Sequence, residues 1–283
     1  MPGLWVMSRP CRFALLMGGL CAAWIHAQAQ TPAAPPAVPS PDAPGKASGH
    51  IPSAAAVLAP LHQGPQPGGA EGWRFVGLAH KPEIADSRFE PGSVEGVDGL
   101  RIVNRASYGT WVHAWRGAAG TLQWRWRLDE PLSGGVRSAD IRRKDGDDIA
   151  LKVCVMFDHP LERVPLGERT LLRLARSVSG EALPAATVCY VWDPLQPQGS
   201  EGTNPYSRRV RYVVLQGQGA PLQRWLNERR DAAADFVRLF GDELPAGSDK
   251  GAVPRVSAVV IGADSDNTQA RSSGWVAQLQ WAR

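Results

Sequence analysis

The clearest pattern in the chain is a strict alternation of apolar and polar residues over positions 122–129. Two leucines and two tryptophans fall on one side of an extended chain, while a glutamine, two arginines and an aspartate fall on the other. A period of two is typical of a strand with one buried and one solvated face. Residues 149–158 repeat the pattern. The sequence therefore predicts a domain built mainly of half-buried antiparallel strands.

Further segments combine such alternation with flanking Gly, Pro, Ser or Asp, which are the residues that turns require. The predicted strands are 73–76, 84–90, 100–104, 110–115, 121–129, 148–158, 186–192, 209–216, 256–262 and 275–281. This spacing favours an antiparallel β-sandwich over residues 72–283.

One long amphipathic helix is predicted over residues 221–241. Pro221 suits the first position of a helix and Gly241 suits its end. The apolar side chains between them follow a helical spacing, so we expect an aromatic stripe to pack against the sheets.

The first 71 residues have a different character. Arg9 and Arg12, the apolar residues 13–25 and the small-x-small site at 27–29 predict a signal peptide over residues 1–29, and hence a periplasmic or secreted protein. Residues 30–71 are rich in Pro, Ala and Gly, which predicts a disordered linker. No transmembrane segment is expected after signal cleavage.

Two cysteines, Cys154 and Cys189, remain in the predicted mature protein, and both lie in predicted strands. An oxidising compartment permits a disulfide between them, whereas two buried free thiols are the alternative. The chain has 31 Lys and Arg against 27 Asp and Glu, with no long run of like charge. Nucleic acid is therefore not an expected partner.

The first candidate site directly follows a predicted strand. Asp264, Asp266 and Asn267 place oxygen-bearing side chains close together in a loop, where they could converge on a calcium ion or on sugar hydroxyls. Apart from calcium at Asp264 and Asp266, no cofactor is expected. The alternative is a turn whose side chains satisfy their own backbone donors.

Two other segments carry polar groups at strand ends. Asp147 and Asp148 stand at the start of a strongly apolar strand, where they could bind a ligand or form a solvated charged turn. Asn204 and Tyr206 lie in a long polar loop, of a composition that can stack on a sugar and bind its hydroxyls, or that simply connects two strands.

No sequence motif indicates nucleophilic catalysis. The chain has no GxSxG sequence. His113 shares a strand face with Trp111 and Trp115, which is more typical of a core histidine than of a general base.

Taken in order, WRWRLD at 124–129, GDD at 146–148, NPY at 204–206, the segment from Trp225 to Gly241 and DSDNT at 264–268 resemble an exported bacterial family, domain of unknown function 3047. The resemblance spans nearly all of residues 72–283. It implies a sandwich of the jelly-roll kind that sugar-binding modules use, and it implies no reaction or catalytic residues.

Three functions are compatible with these features. The first is binding of a glycan or another cell-envelope ligand by the polar loops. The second is a glycan hydrolase or lyase that uses Asp or Glu. The third is a structural or assembly role in the envelope, with the linker as a spacer. The sequence favours the first of these and leans against an enzyme, and fold analogy alone does not decide among them.

Overall fold

The structure is a computed structural model that describes residues 58–63, 72–78, 81–179, 183–193 and 195–282. The predicted signal peptide and most of the predicted linker lie outside these residues.

Strands dominate the described part of the chain. In chain order the elements are β1 (Trp73–Val76), β2 (Ala85–Asp86), β3 (Arg88–Val94), β4 (Val97–Arg105), β5 (Ser107–Gly117), β6 (Thr121–Ser133), β7 (Ile149–Phe157), α1 (Leu166–Ser179), β8 (Ala186–Trp192), β9 (Glu201–Thr203), β10 (Val210–Gln216), β11 (Leu226–Asp231), α2 (Ala232–Phe240), β12 (Val256–Asp264) and β13 (Arg271–Trp281). Each predicted strand segment overlaps an observed strand.

The strands form two sheets. Sheet A has eight strands in the order β1-β5-β12-β7-β8-β10-β9, with β2 paired to β5, and sheet B has five in the order β11-β6-β13-β4-β3. Most pairs are antiparallel, but β8–β10 and β2–β5 are parallel. A jelly roll has eight strands in two Greek keys. The mainly β class is confirmed, whereas the jelly-roll arrangement is not.

Aromatic side chains of both sheets form the core between them. The rings of Trp124 and Tyr190 lie 5.3 Å apart, and those of Trp126 and Trp192 lie 5.4 Å apart. Trp124, Trp126 and Leu128 are all buried, as the alternation in β6 predicts. Such offset ring pairs add to the stability that burial of their large apolar area provides.

The central strands of sheet A differ from the half-buried strands that the sequence predicts. Nearly every residue of β7, β8 and β12 is buried, on both faces. The inner face packs on sheet B, and the outer face carries a second apolar cluster that includes Val112, Cys154, Cys189 and Val260. Strands that are covered on both sides give near-continuous apolar runs rather than alternation.

The predicted long helix over residues 221–241 is wrong. Leu226–Asp231 is an edge strand that pairs with β6, and only Ala232–Phe240 is helical. Exposure alternates along this strand, and Glu228 accepts a hydrogen bond of 3.0 Å from the Trp126 indole. Asp231 then caps the helix by accepting from the Ala234 amide. Pairing with an open strand edge outweighs the local helical spacing of the same residues.

Helix α1 was not predicted. It follows β7 and presents Leu172 to the domain, while Leu166, Leu171 and Leu174 remain exposed. Leu171, Leu172, Leu174 and Ala175 share one side of this amphipathic helix, a helical spacing that the sequence analysis missed.

Residues 58–63 lie inside the predicted linker but pack on the domain. Leu58 and Leu61 are buried in the core. The Ala59 amide donates to His113 Nε2 at 3.0 Å, so the other ring nitrogen, Nδ1, carries the proton and donates to the Ala114 carbonyl at 2.7 Å. Burial lowers the pKa of His113, which favours this neutral form. His113 therefore anchors the segment as a structural residue.

Cys154 and Cys189 are joined by a disulfide. They are direct register partners on β7 and β8, with their Cα atoms 4.0 Å apart. The bond lies on the outer face of sheet A, where it ties the two central strands together.

Trp126→Ala should lower the free energy of unfolding by about 3–5 kcal/mol, because it leaves a large cavity in the core and removes a donor to Glu228. Urea unfolding measures this. Leu222→Ala is the control, since Leu222 is 42% exposed, and it should change stability by less than about 0.5 kcal/mol. A loss below about 1 kcal/mol for Trp126→Ala would contradict the packing described above.

Candidate functional site

The three polar segments singled out from the sequence meet at one end of sheet A. The first residue of β7, Ile149, is the register partner of the last residue of β12, Asp264. Since the two strands are antiparallel, the loop before β7 and the loop after β12 leave the sheet side by side. The polar loop after β9 joins them through a hydrogen bond from Asn204 to Asp147.

Asp264 forms a buried ion pair with Lys152. Lys152 Nζ lies 3.2 Å from Asp264 Oδ1, which also accepts from the Ile149 amide at 3.0 Å. Burial raises the pKa of Asp264 to about 6, against the opposing effect of the Lys152 charge. Burial by itself would lower the pKa of Lys152, but the neighbouring charge of Asp264 outweighs it and the pKa is raised. Lys152 therefore stays charged.

Asp148 fixes the loop that follows β12. It is 1% exposed. Its carboxylate accepts from the Asn267 amide at 3.0 Å and from the Thr268 amide at 2.8 Å, and the Thr268 hydroxyl also donates to it. Because these donors lie in the loop after β12, Asp148 holds that loop in place.

Asp147 has a different environment from its neighbour. Asn204 Nδ2 donates to its Oδ2 at 2.5 Å, while Asn204 Oδ1 accepts from the amides of Tyr206 and Ser207. Asp147 is 6% exposed, and within the described part of the chain no cation forms an ion pair with it. Burial raises its pKa to about 7, and the charge of Asp264 adds to this. Asp147 is thus a carboxyl that can gain or lose a proton near neutral pH.

Tyr206 and Asn267 close the outside of the cluster. The Tyr206 hydroxyl lies 2.7 Å from the Lys144 carbonyl oxygen and 3.2 Å from Asn267 Oδ1. Asn267 Nδ2 donates to the Asp147 carbonyl oxygen at 3.3 Å. The ring of Tyr206 is 57% exposed, so it remains accessible at the rim.

Asp266 contributes its charge to the cluster. It is half-buried, and burial raises its pKa, to which the charge of Asp148 adds. Across the described residues, no three or more His, Cys, Asp or Glu side chains are arranged to hold a metal ion. Lys152 supplies the positive charge beside Asp264, where the sequence analysis expected calcium. Calcium binding at Asp264 and Asp266 stays a prediction, to be tested below.

A cleft of about 280 Å³ runs from this cluster along the outer face of sheet A. Lys152, Tyr108 and Asn204 form its polar end. We call this cavity the outer cleft; its other lining residues are Arg74, Val76, Thr110, Val112, Ile149, Cys154, Met156, Leu183, Pro184, Thr187, Cys189, Val210, Tyr212 and Val260. The ionisable cluster and the cleft therefore form one continuous site.

Sequence reasoning missed two members of this site. Lys152 lies between Leu151 and Val153 on β7, so it faces outward if they face the core, but this position does not identify its partner. Tyr108 is the register partner of Asp264, and its ring lies 5.2 Å from Lys152 Nζ. Burial raises the pKa of Tyr108. Only the pairing of β5 with β12 reveals its place.

Comparison with known proteins gives a family and little else. The sequence matches the family described as a protein of unknown function, DUF3047, over residues 71–280. No curated protein matches the chain. A solved structure, the Spr0440 glycoside hydrolase domain of Endo-D from Streptococcus pneumoniae R6, aligns with a TM-score of 0.28 and 11% identity. The alignment covers 74% of this chain and 21% of that chain, about a fifth of its length. A likeness this weak carries no argument about function.

Within the described ranges, no helix is both long and apolar enough to cross a membrane.

Asp147→Asn should stabilise the protein relative to wild type as pH rises. The pKa of Asp147 is raised from 3.8 to about 7, so the unfolded chain loses this proton first. Wild type therefore loses stability between about pH 4 and pH 7, whereas the amide has no proton to lose. Melting temperatures should diverge over this window and stay apart above it.

Asp145→Asn is the matched control. Asp145 is exposed and its pKa is lowered by a hydrogen bond from Arg143, so removing its charge should give no gain in stability as pH rises. Parallel melting curves for wild type and Asp147→Asn from pH 4 to pH 8 would contradict the assignment of a raised pKa to Asp147.

Proposed function

We propose, for a chain that belongs to the DUF3047 family of proteins of unknown function, that the domain binds a glycan or another hydroxyl-rich component of the cell envelope. The outer cleft is the binding site. The observation that carries this proposal is the convergence of Lys152 and Asn204 at one end of a largely apolar cleft, with the carboxyl of Asp147 hydrogen-bonded to Asn204.

Two general properties of binding sites support this choice. Ligand sites are concave, largely apolar and furnished with a few convergent polar groups, as the outer cleft is. Buried groups with strongly shifted pKa values also concentrate at functional sites. Asp147 and Asp264 both have such pKa values. The charge of Asp264 adds to the raised pKa of Asp147, and the charges of both carboxylates raise the pKa of Lys152.

Hydroxyl groups suit the polar end better than ions do. A hydroxyl both donates and accepts, and so can pair with carboxylates, with the Asn204 amide and with the Lys152 ammonium group. The hydrogen bonds from the Tyr206 and Ser207 amides hold Asn204 in one orientation, which lowers the entropy lost on binding. Tyr206 at the rim offers an exposed ring for stacking on a sugar.

A glycan array probed with the mature protein tests this function. Asp147→Asn should weaken any glycan bound by wild type about tenfold, because a hydrogen bond to a charged group contributes about 1.5 kcal/mol or more. Asp145→Asn should bind as wild type does. Melts with and without millimolar calcium form a further arm, since a bound ion raises the melting temperature by mass action.

Two outcomes of these measurements would each refute a part of the proposal. A wild-type protein that binds no glycan and whose melting temperature no glycan raises would refute glycan binding. An unchanged melting temperature in calcium would refute calcium binding at Asp264 and Asp266.

Acid–base catalysis is a second candidate, favoured by one observation. The pKa values of Asp147 and Asp264, about 7 and about 6, are those of a carboxylic acid that can donate a proton near neutral pH. In that case the bound glycan is cleaved, and Asp147→Asn abolishes cleavage. Binding without cleavage assigns the site to recognition alone.

We also propose that the protein is exported and lies in the periplasm or outside the cell. The residue pattern of the first 29 positions supports this, as does the Cys154–Cys189 disulfide, because such bonds persist in oxidising compartments. Intact mass spectrometry of the protein from a secreting host should give a chain that begins at Gln30 and lacks the two thiol hydrogens. A mass that retains Met1, or one with free thiols at both cysteines, would contradict export.

A further inference from the structure

The floor of the outer cleft is aliphatic rather than aromatic. Val112, Val260 and Met156 lie beside the Cys154–Cys189 disulfide on the outer face of sheet A. Tyr108 and Tyr212 are the aromatic side chains of the lining, and Tyr212 is 5% exposed. Sugars bind proteins by hydrogen bonds and by stacking on exposed rings. A floor of small aliphatic side chains is instead complementary to a hydrocarbon chain.

Two further cavities adjoin the outer cleft. A cavity of about 390 Å³ shares Leu183, Pro184 and Val210 with it and is bounded by the α1 helix. A cavity of about 590 Å³ shares Val112 and Met156, and its lining also includes the polar side chains of Asp158, His159 and Arg176. A hydrocarbon chain longer than the outer cleft can therefore extend into an adjoining cavity.

Helix α1 adds an apolar margin to this surface. Leu171, which borders the first of these cavities, is 67% exposed, and Leu174 on the same flank is 61% exposed. Large exposed leucines next to an apolar cavity mark a place where a ligand covers them.

The charge of the polar end limits what the head of such a ligand can be. Asp147, Asp148, Asp264 and Asp266 lie together with Lys152 as the cation paired among them. Arg74, the other charged side chain of the lining, lies farther along the cleft, since its register partner Val112 is four residues from Tyr108 on β5. At the polar end itself, the excess of carboxylates beside Lys152 and Asn204 repels an anionic head group, as found on a fatty acid or a phospholipid. An uncharged head with many hydroxyls meets no such repulsion and can pair with Asn204 and the carboxylates.

We infer that the ligand of the outer cleft is an uncharged glycolipid-like amphiphile, whose hydrocarbon chain lies along the floor and whose hydroxylated head reaches Asn204 and Lys152. This inference rests on the proposed binding function and specifies its ligand class. Apolar contact along the floor provides affinity, and the polar end selects the head group.

Titration calorimetry with hexyl, octyl and decyl glucoside, below the concentration at which they form micelles, tests the inference. Affinity should rise roughly fourfold for each added methylene, which is the ratio given by a transfer free energy of about 0.8 kcal/mol. Binding should also show a negative heat-capacity change, the mark of apolar burial. Decyl sulfate, with the same chain and an anionic head, should bind more weakly than decyl glucoside.

Two variants test whether the hydrocarbon chain of the ligand lies on the floor of the cleft. Met156→Trp fills the space between the outer cleft and the cavity that shares Met156, so decyl glucoside should bind at least roughly tenfold more weakly. Val136→Trp is the matched control, because Val136 is 70% exposed and lines none of the three cavities. If Met156→Trp fails to fold, Val260→Thr keeps the shape and places a hydroxyl in the floor, and should weaken binding in the same direction.

The outcomes separate this inference from the function it rests on. Glycan binding with no dependence on chain length would overturn the amphiphile and leave glycan binding in place. Equal affinity for decyl sulfate and decyl glucoside would overturn the uncharged head group. Equal weakening by Met156→Trp and Val136→Trp would overturn the location. A protein that binds neither glycans nor any alkyl glucoside would refute both the inference and the proposed function.

Discussion

Burial of the central strands of sheet A on both faces is the constraint on which the rest of the structure depends. The inner face is covered by the aromatic side chains of sheet B, through contacts such as Trp126 on Trp192. Among the residues that the structure describes, no second sheet covers the outer face, and loops and helix α1 cover it only in part. Because loops and one helix cover this face incompletely, gaps remain over an apolar floor. The outer cleft is the gap that ends at the ionisable cluster.

The same burial determines the electrostatics of the cluster. Charged side chains on a covered face lose their hydration, which costs free energy unless a partner offsets it. Asp264 has Lys152 at 3.2 Å, and Asp148 has two backbone amides and a hydroxyl. Asp147 accepts a hydrogen bond from the Asn204 amide, and burial raises its pKa to about 7, above the value of about 6 at Asp264. The partners of these carboxyls differ, and Asp147 is joined to the cleft through Asn204.

The division of the site into an acidic polar end and an aliphatic floor is what distinguishes it from a plain sugar site. The disulfide between Cys154 and Cys189 stabilises the floor, since it joins neighbouring strands beneath the cleft. Rigid central strands thus hold one wall of the site, whereas loops and helix α1 form the other. Sites built in this way combine a fixed floor with a rim that can adapt to a ligand.

The sequence by itself determined the β class, the positions of nearly all strands of both sheets and the burial of Trp124 and Trp126, because a period of two follows directly from strand geometry. It also identified the polar loops at Asp147, Asn204 and Asp264, since strand ends are marked by turn residues.

Tertiary structure alone decided the remainder. Residues 226–231 became a strand because β6 offers an open edge, and no local spacing reports that edge. Residues 58–63 joined the core because His113 and the apolar interior accept them. The site itself depends on antiparallel pairing of β7 with β12 and of β12 with β5, which places Asp264 beside Ile149 and Tyr108. Contacts between residues more than a hundred positions apart are set by the free energy of the whole packed structure, which local sequence patterns do not encode.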